Sequence, residues 1–325
     1  MNIPKHNATL EEVIDFYRNS DVYRRLSSSS QKDYDNHLSA TLTTEVEGKM
    51  LRAYRCKNLK VRHITQAYEQ WLTVGTRTAN YRRSVLSAAW KHAMRHDVFI
   101  HNPISLVQTV TEKPRRVHWT REQVSIFLDT AYSDFRWRSI GLIVHMAYDW
   151  GQRVGDVRLL TWNSLDLNEC RIDMTQSKRN AEIHLPISQG LCAMLRQQKE
   201  EFGFQEYVVP RVKPRAGAYT PYDKEEISLH INKILEEANL PKELTAMDLR
   251  RTAVTEMMEG GVDLAGIMQV TGHQNAASVK PYMVNTFSGA SKALSARQIE
   301  RNKREARMFH NSRSKGPRRV KNEDA

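Results

Sequence analysis

Cysteine, glycine, proline and long apolar runs are all scarce in this chain of 325 residues, which has 3 Cys, 14 Gly and 10 Pro. Cys56, Cys170 and Cys192 lie far apart and match no CxxC spacing, so we expect free thiols in a reducing compartment, with neither a disulfide nor a zinc site. No stretch approaches the roughly 18 consecutive apolar residues that a membrane-spanning helix requires, and the first residues lack the apolar core of a signal peptide. These absences predict a cytosolic protein, associated with the nucleoid in a bacterial host, and no membrane partner.

Acidic residues are also in the minority, since 49 Lys and Arg stand against 37 Asp and Glu and give a net charge of +12. Half of that excess lies in residues 301–325, which hold nine Lys or Arg and three Asp or Glu. This basic C-terminal tail has no sustained apolar period, so we expect it to be mobile. A polyanionic partner is indicated, although many basic proteins bind no nucleic acid.

The composition, with 40% hydrophobic and 26% charged residues, is typical of a helical globular protein, and the length predicts two domains. Residues 1–109 show helical periodicity. Apolar residues recur every three to five positions in two stripes, one from Ile64 to Leu72 and one from Tyr81 to Ala93. The second stripe is accompanied by basic residues that form either a DNA-facing or a simply solvated surface, namely Arg77, Arg82, Arg83, Lys91 and Arg95.

A polar and basic segment at residues 110–119, broken by Pro114, is interpreted as a linker. Thr120 and Gln123 then form a T-x-x-Q capping box before an apolar run, which predicts a new helix and a second domain at residues 120–300. The stretch from Ile140 to Tyr148 predicts a further helix.

Between residues 165 and 186 the apolar period changes from helical to alternating. Ile172 and Met174 precede a polar turn near Lys178, and Ile183 and Leu185 follow it, so the pattern predicts two strands joined by a hairpin. Helical patterns return after Leu191. The predicted fold class is mainly α with a small antiparallel β-sheet, arranged as a helical domain, a linker and a mixed second domain.

Three segments of the second domain stand out, around Arg153, around Arg250, and from His273 to Tyr282. Each has an ordinary structural explanation when taken alone. A Gly-His pair is often a helix cap, an Arg-Arg pair is usually a solvated charge, and a lone tyrosine is usually a core aromatic. Their order and spacing, taken together, favour a shared chemical role.

Together the three segments resemble the tyrosine recombinase, or phage integrase, family. The family's first box, approximately T-G-x-R-x-x-E-L-x-x-L-x-W-x-D-I, is matched by Gly151, Arg153, Asp156, Val157, Leu160, Trp162 and Leu165. Its second box, H-x-L-R-[HR]-[ST], aligns with Met247, Leu249, Arg250, Arg251 and Thr252. The L-G-H sequence that continues it, with a tyrosine nine residues later, is matched by Gly272, His273 and Tyr282.

The resemblance implies a two-domain architecture, with a helical core-binding domain and an α/β catalytic domain. It also implies five catalytic positions, which are Arg153, Lys178, Arg250, His273 and the nucleophile Tyr282. The implied activity is site-specific cleavage and rejoining of DNA through a 3′-phosphotyrosyl bond, which requires no ATP, metal or other cofactor. The implied partners are double-stranded DNA and three further copies of the chain in a homotetramer, with DNA-bending or excision factors as accessories.

Elementary chemistry is consistent with this set. Attack on a phosphodiester places extra negative charge on the non-bridging oxygens, and two guanidiniums are suited to hold it bidentately. A tyrosine hydroxyl has a pKa near 10 in water, so it needs positive surroundings or a proton acceptor to act as a nucleophile at neutral pH. A histidine can donate to the phosphate or accept that proton, and a lysine can protonate the leaving 5′ oxygen.

The chain departs from the family pattern at a few positions. Met247 stands where the family has histidine, and Asp156 stands where it has glutamate. Because a thioether cannot exchange a proton, we predict that another group replaces the missing base and that Met247 packs against the tyrosine ring. Pro281 directly precedes the nucleophile, which predicts that Tyr282 lies in a short segment.

Alternative functions remain open at this point. They are integration or excision of phage or other mobile DNA, resolution of chromosome or plasmid dimers by an Xer-like recombinase, a topoisomerase-like nicking and sealing enzyme, and a DNA-binding relative that has lost catalysis. Outside the second domain, His92 and His96 lie one helical turn apart but lack the glutamate of H-E-x-x-H, so we interpret them as a surface pair.

Overall fold

A computed structural model describes residues 3–112, 115, 117–178, 180–283 and 287–314. Contacts divide the chain into two compact units, Met1–Pro114 and Arg115–Ala325. In the part of the chain described, no helix is long and apolar enough to cross a membrane.

The first unit is a helical domain with one very short hairpin. Its helices are α1 (Leu10–Arg18), α2 (Asp21–Arg24), α3 (Ser28–Leu42), α4 (Val61–Val74) and α5 (Thr76–Met94), and β1 (Glu45–Val46) pairs antiparallel with β2 (Lys49–Met50). Ser27 caps α3, because its hydroxyl accepts the Ser30 N–H at 3.3 Å.

Both predicted apolar stripes line the core of this unit. Ile64 and Trp71 on α4, and Leu86 and Trp90 on α5, are all buried, which confirms the helical period. The interpretation of His92 as a surface residue is wrong. Its ring is buried between Phe16 and Tyr17, at 4.9 and 5.6 Å between ring centroids, because position 92 continues the buried face of α5.

The second unit wraps helices around a three-stranded sheet. The helices are α6 (Arg121–Ser133), α7 (Arg138–Asp149), α8 (Val154–Val157), α9 (Gln189–Phe202), α10 (Lys224–Glu237), α11 (Ala246–Glu259), α12 (Leu264–Thr271) and α13 (Phe287–Ser314). The strands are β3 (Leu165–Asp166), β4 (Arg171–Thr175) and β5 (Glu182–Pro186), antiparallel in the order β3-β4-β5. The register pairs Ile172 with Leu185 and Met174 with Ile183, so the predicted hairpin is confirmed.

Local capping explains where α6, the first helix of this unit, begins. The Thr120 hydroxyl accepts the Gln123 N–H at 3.2 Å, while the Gln123 side chain accepts the Thr120 N–H at 2.9 Å, which is the predicted capping box. The helices of both units and the small antiparallel sheets confirm the fold class expected from sequence, mainly α with a small antiparallel sheet.

One expectation about this unit is wrong. Cys170 and Cys192 form a disulfide rather than two free thiols, because the start of β4 and the first turn of α9 bring their Cα atoms to 6.0 Å. Cys56 is a free, buried thiol whose pKa is raised to about 12 by desolvation. The basic C-terminal segment is helical as far as Ser314, residues 315–325 lie outside the described residues, and the mobility of this tail stays a prediction.

Candidate active site

Arg250 lies at the centre of the candidate site, on the first half of α11. This helix begins at a capping box in which the Asp248 carboxylate accepts the Thr245 N–H at 3.1 Å. The Arg250 side chain is 3% exposed and donates to two backbone carbonyls, Gly151 O at 3.2 Å and Thr271 O at 2.7 Å. These bonds fix the guanidinium in position.

Arg153 approaches from the turn that precedes α8. Its Nη1 lies 3.0 Å from Gln176 Oε1 and 3.6 Å from a carboxylate oxygen of Asp156. Asp156, which replaces the family's glutamate, is buried, and its other oxygen accepts the Ser177 N–H at 3.1 Å and the Ser177 hydroxyl at 2.5 Å. The shorter acid therefore joins Arg153 to the β4–β5 hairpin.

His273 follows the left-handed residue Gly272, whose φ of 69° ends α12. The Thr271 hydroxyl donates to Ile267 O at 2.6 Å, so it accepts a hydrogen bond from His273 Nδ1, which lies 2.6 Å away. This assignment leaves Nε2 without a proton in the neutral ring. Arg250 Nη2 lies 3.1 Å from Nε2 and 3.4 Å from Nδ1, so the guanidinium lies over the face of the imidazole ring, and the bond to Thr271 is the contact that selects the tautomer.

Tyr282 ends a single 3-10 turn, Lys280–Tyr282, which has Pro281 in its first positions. The prediction that the tyrosine lies in a short segment is confirmed. Its ring packs against the cluster formed by Val254, Ile267 and Val279. The ring centroid is 5.3 Å from that of His273 and 5.6 Å from the Arg250 guanidinium carbon, so the phenol lies beside both groups.

Lys178 lies on the turn of the β4–β5 hairpin, two residues after Gln176, and its side chain is exposed. The structure therefore brings Arg153, Arg250, His273 and Tyr282 into one connected cluster. It places Lys178 on the adjoining hairpin, directed to solvent.

Met247 lies in the first turn of α11 and is 79% exposed. It does not belong to the apolar cluster that supports Tyr282, so the expectation that its thioether packs against the tyrosine ring is wrong. The reason is geometric. The buried face of α11 is formed by Asp248, Leu249 and Arg250, which leaves position 247 facing outward.

Two buried glutamines of the site were missed by the sequence analysis. Gln176 and Gln152 are 0% and 1% exposed, and a hydrogen bond of 2.6 Å joins their side-chain amides. Their positions, two residues before the hairpin lysine and directly before Arg153, are the only sequence signal that points to them.

The basic residues of α5 belong to the first unit. Arg77, Lys91 and Arg95 are exposed, whereas Arg83 donates to Ser105 O at 2.8 Å and desolvation lowers the pKa of Arg82. Three of the five therefore have free access to a partner. In neither unit do the described residues include a group of three or more His, Cys, Asp or Glu placed to hold a metal ion.

The pattern of the phage integrase family matches residues 118–288, more than half of the chain. The tyrosine recombinase XerC of Bacillus pumilus is 23% identical over 230 residues, which cover 68% of this chain and 73% of XerC. XerC of Bacillus subtilis is 22% identical over 233 residues, with 67% and 73% covered.

Solved structures show a similar fold along most of the chain. A lambda integrase dimer bound to a COC′ core site superimposes with a TM-score of 0.70 at 19% identity, and covers 85% of this chain and 77% of its own. The Tn1549 transposon integrase in complex with a circular intermediate DNA gives a TM-score of 0.72 at 15% identity, with 89% and 99% covered. The two arginines, the histidine and the tyrosine lie within the matched region, and the chain belongs to the phage integrase family as a site-specific tyrosine recombinase.

Proposed function

We propose that this recombinase breaks DNA by attack of the Tyr282 hydroxyl on a backbone phosphate. A bond forms between the phenolic oxygen and phosphorus, the bond to the 5′ oxygen breaks, and a 3′-phosphotyrosyl linkage results. The proposal rests on one observation above all: Tyr282 lies beside both Arg250 and His273, in a cluster that also contains Arg153.

The two arginines would hold the phosphate. Arg250 is buried and fixed by two carbonyls, while the side chain of Arg153 is one-quarter exposed and retains access to solvent. Because guanidiniums stay charged and bind oxygen pairs in a plane, they stabilise most strongly the charge that develops on the non-bridging oxygens.

Proton transfer falls to His273 and Lys178. The His273 ring lies beside both the Arg250 guanidinium and the Tyr282 ring, so a small rotation would direct Nε2 to the phenolic proton or to a phosphate oxygen. The exposed Lys178 ammonium on its hairpin turn would move onto the bound DNA and protonate the departing 5′ oxygen.

The phosphotyrosyl bond would conserve the energy of the broken linkage, so an incoming 5′ hydroxyl could reverse the step without ATP. In the family this exchange passes between duplexes, and one similar structure is a lambda integrase tetramer bound to a Holliday junction, with a TM-score of 0.70. A homotetramer on DNA, with or without accessory bending factors, is the assembly that we propose for this chain.

Residues 1–109 would form the core-binding domain and residues 120–300 the catalytic domain, joined by the linker at 110–119. Arg77, Lys91 and Arg95, exposed along α5, are the proposed phosphate contacts of the first domain. Arg83 is a weaker candidate, because part of its hydrogen-bonding capacity is used by Ser105.

A suicide substrate tests the chemistry. A duplex nicked near the cleavage site loses a short fragment after attack, which traps the protein on DNA as a covalent adduct. The wild-type protein should give an adduct resistant to denaturation, and Tyr282→Phe should bind the same DNA with no adduct. An adduct that persists in the phenylalanine variant would transfer the nucleophile to another residue.

The biological task is the second part of the proposal. We propose integration or excision of phage or other mobile DNA, since transposon and phage integrases match this fold over 85–89% of the chain. Resolution of replicon dimers is the alternative, favoured by the sequence similarity to XerC. Sequencing the DNA trapped by the wild-type protein in its native cell separates them, because junctions of a mobile element support the first and one fixed replicon site supports the second.

A further inference from the structure

A fully buried amide, that of Gln176, connects the elements that carry the catalytic groups. Gln176 follows β4 at the base of the hairpin that carries Lys178, and its side chain is 0% exposed. Its Oε1 accepts from Arg153 Nη1 at 3.0 Å, and its Nε2 donates to Thr271 O at 2.9 Å and to Gln152 Oε1 at 2.6 Å.

The carbonyl of Thr271 extends this connection to the second arginine. Thr271 O accepts from both Gln176 Nε2, at 2.9 Å, and Arg250 Nη2, at 2.7 Å. One amide and one carbonyl therefore set the separation of the Arg153 and Arg250 guanidiniums. Two guanidiniums that must grip the same phosphate need a fixed separation, and a misplacement of about 1 Å can cost about 100-fold in rate.

The same amide packs against the turn before His273. A Cβ atom added at Gly272 would lie 2.8 Å from Gln176 Nε2, so the amide fills the space that a side chain would need. The Gln176 backbone also closes the hairpin, because its N–H donates to Ala181 O at 2.9 Å and its carbonyl accepts the Asn180 N–H at 3.0 Å.

Only glutamine satisfies these contacts. The site requires an acceptor for the Arg153 guanidinium and an N–H₂ donor for two oxygens, those of Thr271 and Gln152. Asparagine has both groups, but its side chain is one methylene too short to place them there. An apolar residue would leave the buried Thr271 carbonyl and the Gln152 amide with fewer partners. A glutamate would direct a carboxylate at both oxygens and at Arg153.

We propose that Gln176 is a positioning residue for strand cleavage, which acts by holding Arg153 at a fixed distance from Arg250. The inference rests on the proposed chemistry at Tyr282. It assigns no contact with DNA to Gln176 itself.

The test is a double-mutant cycle between Gln176→Met and Arg153→Ala. Methionine keeps the length of the side chain and removes both amide groups. Cleavage is measured in a single turnover at saturating DNA, on a substrate whose leaving 5′ oxygen is replaced by sulfur, so that weak variants remain measurable. Gln176→Met should lower the rate by roughly 10- to 100-fold with less than about a threefold change in DNA affinity. In the Arg153→Ala background the same substitution should change the rate by less than about threefold.

Gln198→Met is the matched control. This glutamine of α9 is equally buried, and it donates to Val208 O at 3.1 Å and to the Ser139 hydroxyl at 3.4 Å, away from the candidate site. It should lower the free energy of unfolding about as much as Gln176→Met while cleavage stays within about threefold of wild type. Equal rate losses in both variants, or an undiminished effect of Gln176→Met beside Arg153→Ala, would overturn the positioning role.

Gln176→Glu serves if the methionine variant does not fold. Its carboxylate would pair with Arg153 and compete with the phosphate, and protonation at lower pH would relieve that competition. The cleavage rate relative to wild type should therefore rise as the pH falls, and a ratio independent of pH would reject the proposal. Wild-type protein that forms no adduct would instead refute the chemistry at Tyr282, which keeps the two failures distinct.

Discussion

Met247 allows a direct test of how the proton leaves the nucleophile. It occupies the position of the family histidine, one helical turn before Arg250 on α11. A histidine introduced there would lie in the first turn of the helix, at its positive end, which favours its neutral, proton-accepting form. We expect Met247→His to cleave DNA at least as fast as wild type near neutral pH.

The exposure of Met247 sets the size of the structural effect. Since 79% of the residue is in solvent, Met247→Ala and Met247→His should change the free energy of unfolding by less than about 0.5 kcal/mol. A general base contributes about 100- to 10,000-fold, so a tenfold gain or less in Met247→His would mean either that wild type already has another acceptor or that a histidine at this outward-facing position does not reach the phenol. We predict this smaller gain.

Adduct formation against pH, measured for the three proteins on one established site, is the decisive assay. If water or the substrate accepts the proton, the wild-type rate should still rise above neutral pH, and the histidine variant should level off earlier. A wild-type protein that forms no adduct at any pH, while Met247→His does, would refute replacement of the base and show a catalytically disabled enzyme.

Three further predictions concern other parts of the chain. Arg250→Ala should lower cleavage by roughly 100- to 1,000-fold with far less effect on DNA binding, and near-normal cleavage would exclude Arg250 from the site. It should also lower the free energy of unfolding by about 1 to 3 kcal/mol, since Gly151 O loses this donor while Thr271 O keeps the one from Gln176. Truncation after Arg301 removes most of the basic tail and should flatten the salt dependence of non-specific DNA binding; an unchanged slope would mean that the tail does not touch DNA. Desolvation lowers the pKa of the buried His92 from 6.5, so protonation of this side chain favours the unfolded state. The stability of the first unit should therefore be full above pH 6.5 and fall as the pH decreases below it. Hydrogen exchange of α5 should show this loss in wild type and less of it in His92→Phe.

The sequence was sufficient for features that depend on local patterns. The 3.6-residue stripes of α4 and α5, the capping box at Thr120 and the alternation across the β4–β5 hairpin all follow from side-chain spacing, and the structure has each of them. The candidate catalytic residues came from the resemblance to the phage integrase family, and four of the five lie in one cluster.

The features that the sequence missed depend on contacts between distant segments. The Cys170–Cys192 pairing requires the residue before β4 to approach the first turn of α9, and no spacing rule in the sequence predicts that approach. The role of Gln176 depends on a carbonyl 95 residues away. The outward direction of Met247 follows from which face of α11 the core covers, and its motif position suggested the opposite.

The glycines of the two motifs become intelligible only beside the buried arginine. Gly151 has φ of 58° and Gly272 has φ of 69°, a region that side chains with a Cβ rarely adopt. The carbonyls that hold Arg250 are those of Gly151 itself and of Thr271, directly before Gly272. Each left-handed turn therefore changes the chain direction next to a carbonyl that accepts a hydrogen bond from the Arg250 guanidinium. Gly151 of the first box and Gly272 of the Gly-His pair thus place the two carbonyls that bind Arg250 of the second box, which gives a physical reason for the three motifs to occur together.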